Sequence, residues 1–133
     1  LLLFRSFQLR CRKEGKTIAE VIGCHTVDSW NEQLQLANAS KKLVVVDFTA
    51  SWCGPCRLIT PVLVELAKKL PQVIFLKVDV DELKTVAQDW AIEAMPTLIF
   101  LKEGTIVDKI VGARKDELYQ KIALHSSDSV QTA

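Results

Sequence analysis

The segment Leu43-Val44-Val45-Val46-Asp47-Phe48 puts apolar, mostly β-branched residues on both faces of a single strand. Neither face of such a strand can meet water, so it belongs in the middle of a sheet covered by helices on both sides. Soon after it, Leu58, Ile59, Val62, Leu63, Leu66, Ala67 and Leu70 recur at helical spacing. They predict a long amphipathic helix, with Pro61 inside it expected to introduce a kink. Residues 73–79 form a second buried run. A strand, a helix and a further strand in that order imply a crossover between parallel neighbours.

The same alternation continues on either side. Residues 20–24 read as a short first strand. Trp30, Leu34 and Ala37 form a helical stripe that Thr26 or Asp28 could cap. Leu83, Val86, Ala87 and Trp90 mark a short helix. Residues 97–101 and 106–111 are two strands around the turn Lys102-Glu103-Gly104-Thr105, where Gly104 supplies a positive φ. Residues 115–124 close the unit as a helix with Leu118 and Ile122 inward. The expected fold is α/β, a mixed sheet of about five strands flanked by about four helices.

Charge and composition narrow the function. Seventeen basic and sixteen acidic residues leave a net charge of +1, so no global field recruits nucleic acid or acidic lipid. The apolar runs are too short to span a bilayer. The basic residues are unevenly placed: five of them stand against Glu14 alone in residues 1–19, which leaves −3 for the remainder. Residues 1–19 are expected to be a disordered or non-native extension, with organelle targeting as the alternative. Residues 20–125 are expected to be the folded domain, and 126–133 a flexible tail.

Four cysteines, Cys11, Cys24, Cys53 and Cys56, are too few for a disulfide-dense secreted scaffold. Cys53 and Cys56 are three apart, where a pair can close a small disulfide, bind a metal or pack. They follow a buried strand and open a long helix. A thiol at a helix N-terminus feels free N–H groups and the positive end of the dipole, which favour thiolate, the nucleophile of disulfide exchange. Cys53 is expected at the exposed lip and Cys56 one turn in, which makes Cys53 the attacker and Cys56 the resolving thiol. Pro55 suits the first helical turn.

Trp52-Cys53-Gly54-Pro55-Cys56, after a strand ending in Asp47-Phe48, resembles the active-site signature of thioredoxins. The resemblance extends through Pro61, Ala94-Met95-Pro96-Thr97 and Val111-Gly112-Ala113. Cys24-His25-Thr26-Val27 and Phe100-Leu101-Lys102-Glu103-Gly104 look like plant h-type members in particular. The resemblance implies a thioredoxin fold and a protein-disulfide reductase. By it, Cys53 forms a mixed disulfide with a target, and Cys56 then attacks Cys53 and closes the Cys53–Cys56 disulfide. Asp47 would relay protons for Cys56. Gly54, Pro55, Trp52 and Pro96 would tune the site, Pro96 as a cis-proline. Trp52, Met95, Pro96, Val111, Gly112 and Ala113 would form the target-binding surface. No bound cofactor or metal is implied; electrons would come from NADPH through thioredoxin reductase to a monomer. The h-type likeness favours the cytoplasm, and a genuine basic leader would leave an organelle open.

Other readings of the same residues compete. Asp47 could be a satisfied structural carboxylate, and Trp52 a core tryptophan. Trp30 and Trp90 sit on helical stripes and are expected to pack. Cys24 is expected to be buried filler rather than a redox thiol. Arg57 either favours thiolate or meets a reductase, or is a plain surface charge. A zinc site would need Cys53 and Cys56 with Cys24 and His25, but adjacent residues of a strand point to opposite faces and chelate poorly. A binding module without turnover would have little use for both cysteines.

Overall fold

Every residue of the strand Leu43–Thr49 is buried, as its two-faced apolar pattern requires. In this computed structural model, which describes residues 19–126, that strand is the centre of a five-stranded sheet. The basic stretch with Cys11, and the tail from residue 127, lie outside the described residues. The elements run β1 (Ile22–Cys24), α1 (Val27–Ala39), β2 (Leu43–Thr49), α2 (Gly54–Lys69), β3 (Val73–Asp79), α3 (Lys84–Asp89), β4 (Thr97–Lys102), β5 (Thr105–Val111) and α4 (Lys115–Ser126). The sheet order is β1-β3-β2-β4-β5. β1, β3 and β2 are parallel; β4 is antiparallel to β2, and β5 to β4. This is the expected mixed sheet with four helices.

Alternation along β2 divides the core. Leu43 and Val45 pack with Ile59, Leu63 and Leu66 of α2 and Leu118 and Ile122 of α4. Val44, Val46 and Phe48 pack with Cys24, Trp30, Leu76, Val78 and Val86 on the opposite face. There Trp30 meets Phe48 edge-on at 6.2 Å and Trp90 at 5.7 Å between ring centroids, so both tryptophans are packing residues. Each large side chain buried in this way stabilises the fold by about 2 kcal/mol before chain entropy is counted.

Local signals set most element ends. Thr26 caps α1 by accepting the Ser29 N–H at 3.0 Å on Oγ1. Thr26→Ala is expected to destabilise the protein by about 1 kcal/mol, read as a lower urea midpoint at unchanged slope. The β4–β5 turn holds both Glu103 (φ 49°) and Gly104 (φ 84°) in the left-handed region, the requirement of a type I′ turn. Only Gly104 is expected there from the residue types, so the left-handed Glu103 is a difference. β1 is shorter than expected, since only residues from Ile22 pair with β3. α2 continues through Pro61 as one 16-residue element. Leu58 is a correction: it is 67% exposed, because the stripe centres on Ile59, Leu63 and Leu66 and Leu58 lies about 100° round the helix from Ile59.

Candidate active site

β2 ends at Thr49 beside the start of α2, and the three residues Ala50-Ser51-Trp52 turn the chain between them. The Cys53 N–H donates to the Ala50 carbonyl at 3.2 Å, which closes that turn. Cys53 is then the N-cap of α2, in extended conformation, and its Sγ accepts the Cys56 N–H at 3.1 Å. Gly54 and Pro55 occupy the first helical positions, where a missing N–H leaves no bond unmade, and both are exposed. Cys53 and Cys56 are joined in a disulfide with Cα atoms 5.3 Å apart.

The structure corrects one expectation about this pair. Cys53 is 4% exposed and Cys56 2%, so in the disulfide both are buried. The difference between them lies in hydrogen bonding: the Cys53 sulfur caps the helix, where backbone N–H groups and the dipole favour negative charge. Cys56 sits inside the first turn, and the Thr60 hydroxyl donates to its carbonyl at 2.9 Å.

Three segments close around the disulfide. Ala50, Val80 and Met95 pack against it, and the Met95 carbonyl oxygen lies 3.6 Å from Cys53 Sγ. The Met95–Pro96 peptide is cis. Pro96 is buried, and its carbonyl accepts the Gly112 N–H at 2.8 Å, which brings the end of β5 to the same rim. Gly112 has φ of 106°, a value that side chains disfavour. Val111 beside it is exposed, and Gly112 and Ala113 are partly so. Trp52 is 63% exposed rather than core, and its Nε1–H donates to Asp81 Oδ2 at 2.8 Å, which fixes the ring at the rim. Arg57 donates to the Ser51 carbonyl at 3.2 Å. Met95 packs against the sulfur pair, Trp52, Gly54 and Pro55 flank it along the chain, and Val111 stands next to Gly112 at the Pro96 carbonyl.

Asp47 lies below, on β2. It is 2% exposed, and its Oδ1 has no hydrogen-bond partner among the described residues. Burial pushes its carboxyl up to about 7, against the opposing pull of the Lys77 charge on β3. It lines a groove with Lys77, Thr60 and Asp79. Those three residues also line a neighbouring hollow of about 200 Å³ that reaches Cys56. Lys77, Thr60, Asp79 and Asp81 were not singled out in the sequence. Lys77 had a readable signal, a cation inside an otherwise apolar strand; the aspartates after β3 had none.

The remaining candidates fall elsewhere. Cys24 is buried with Trp30 and Phe48, and burial raises its thiol pKa above the ordinary value, so it is an inert core thiol. His25 pairs with Glu82 at 2.9 Å. Neither joins the cluster that holds Cys53 and Cys56. Among the described residues no group of three or more His, Cys, Asp or Glu could hold a metal ion.

Comparison with known proteins places this site in a family. Residues 14–124 match the Thioredoxin family. A Thioredoxin H-type of Ricinus communis is 74% identical over 106 residues, 80% of this chain and 90% of the relative. Thioredoxin H1 of Arabidopsis thaliana is 73% identical over 106 residues, 80% of this chain and 93% of the relative. The crystal structure of thioredoxin NaTrxh from Nicotiana alata superposes with a TM-score of 0.78 at 44% identity, covering 81% of this chain and 94% of that one.

Proposed function

The chain belongs to the thioredoxin family of protein-disulfide reductases, and from that premise we propose how its residues divide the reaction. The observation that carries the reading is Cys53 at the N-cap of α2, disulfide-bonded to Cys56 and accepting its N–H. In the reduced protein Cys53 is the thiolate. It attacks one sulfur of a target disulfide, forming a Cys53–target bond and expelling the other target sulfur as thiolate, which takes a proton. Cys56 gives its proton to Asp47 and attacks Cys53 Sγ. The target leaves as two thiols carrying the electron pair that the Cys53–Cys56 dithiol gave up on closing to its disulfide.

Trp52, Met95, Pro96, Val111, Gly112 and Ala113 form the docking surface. An extended target segment pairs with the Met95 backbone, whose carbonyl already faces Cys53. Gly54 and Pro55 leave the lip low enough for that approach, and Asp81 holds the Trp52 ring beside it.

The family acts on disulfide targets, is returned to the dithiol by a reductase and needs no bound cofactor. The finer assignment is ours: the reductase is a thioredoxin reductase drawing on NADPH, the chain acts as a monomer, residues 20–125 are the working domain, and the site of action is the cytoplasm. A leader function for residues 1–19 would move it to an organelle. Among the described residues no helix is long and apolar enough to cross a membrane.

A coupled assay tests the electron route. Insulin, NADPH and a purified NADPH-dependent thioredoxin reductase should give NADPH oxidation and insulin precipitation only when the chain is added. A chain that reduces insulin with dithiothreitol but draws no electrons from NADPH would remove thioredoxin reductase from the scheme.

A further inference from the structure

Asp47, Lys77 and Gly23 lie in one row across the sheet. Asp47 is paired with Lys77 between β2 and β3, and Lys77 with Gly23 between β3 and β1. On its other side Asp47 is paired with Leu98 of β4. Paired residues share a face, so the row ends at β1 in a residue with no side chain. The opening is a groove of about 390 Å³ whose walls include Asp47, Lys77, Gly23, His25 and Glu82. His25, two residues beyond Gly23, folds its ring back over the notch: a Cβ at Gly23 would come within 2.9 Å of its Nε2. Its Nδ1 stands 2.9 Å from Glu82 Oε1, which holds the carboxylate at the mouth.

A carboxyl 2% exposed with an unpartnered oxygen can exchange its proton with solvent only through a path that admits water. The groove is wide enough for several waters, and Glu82, an exposed residue, lines it. We propose that Glu82, an exposed residue lining this groove and held over the Gly23 notch by His25, is a charge that tunes where Asp47 ionises. The inference rests on the proton role given to Asp47 above. The other groups facing the groove are Lys77 and Asp79 from β3, Cys24 from β1, and Thr60 with the apolar Leu63 and Val64 from α2; β4 contributes the apolar Leu98 alongside Asp47.

A negative charge at the mouth disfavours a second negative charge on Asp47. Glu82→Gln should therefore lower the Asp47 titration midpoint by about half a pH unit, and Glu82→Lys by about one unit, the size of one and two unit charges acting through a wet groove. Both shifts should shrink in high salt. Glu82 is an exposed residue, so neither substitution disturbs the core. The readout is the Asp47 carboxyl resonance in a carbon-13 NMR titration of the full chain with the disulfide intact. Midpoints that stay at the wild-type value in both variants would overturn the inference. The pH profile of insulin reduction separates it from the role of Asp47. A midpoint that moves while the rate profile stays still would uphold Glu82 and remove Asp47 from the reaction.

Discussion

Cys53→Ser should abolish insulin reduction, a loss on the order of 10³-fold or more, while leaving the fold in place. A serine hydroxyl stays protonated at neutral pH, so no nucleophile forms and no disulfide can close. The helix start survives, because serine is a favoured N-cap and its oxygen can accept the Cys56 N–H that the sulfur now takes at 3.1 Å. Thermal unfolding compared with the reduced wild type separates the two effects: an unchanged midpoint with activity gone is the expected pair. Cys56→Ser should behave differently. Its attacking thiolate is intact but nothing resolves the product, so it should react once per chain and stop as a mixed disulfide.

Asp47→Asn should make the protein more stable at pH 8 and slower in turnover. The Asp47 carboxyl titrates at about 7 in the folded chain, against 3.8 ordinarily. Between those values the native state holds a proton that the unfolded state has released, so stability falls as pH rises through that window. Above pH 7 the penalty approaches about 4 kcal/mol, on about 1.4 kcal/mol per pH unit. Asparagine carries no such charge. Urea unfolding of the oxidised proteins should show the two nearly alike at pH 4 and the variant ahead by about 3 kcal/mol at pH 8. Taking the difference isolates Asp47 from other carboxylates such as Asp108. Burial raises the Asp108 pKa, but hydrogen bonds from Lys121 and His125 outweigh it and bring the value to about 2. Turnover should drop by about tenfold or more as Cys56 loses its base. A stability difference that does not grow with pH would contradict the buried, unpaired carboxylate.

The parts of this fold written in periodic patterns were legible from the residues. β2 and β3 stand where two-faced apolar runs put them, and Leu118 and Ile122 face inward as their spacing required. Patterning failed where one apolar residue too many extended a stripe, at Leu58. It failed again at Glu103, where the hairpin's twist demands a left-handed residue whatever its side chain. Spacing and a helix start marked Cys53 and Cys56 as a thiolate-prone pair, and the resemblance to thioredoxins supplied their disulfide. What surrounds them depends on segments far apart in the chain. The Trp52–Asp81 bond spans 29 residues, and the Asp47–Lys77 row exists only through the β2–β3 register. Spacing within one segment carries no trace of either. The burial of Cys53 is hidden for a related reason: Met95 and Val80 pack against the disulfide cluster, and both arrive from elsewhere.

The division of labour between the two sulfurs can be read in one intact-mass experiment. The Cys56→Ser protein, reduced and then mixed with a disulfide-bonded target, should accumulate a one-to-one adduct by intact mass. Peptide mapping without reduction should find the target joined to Cys53. An adduct on Cys24, or none, would mean that Cys53 is not the attacking thiol.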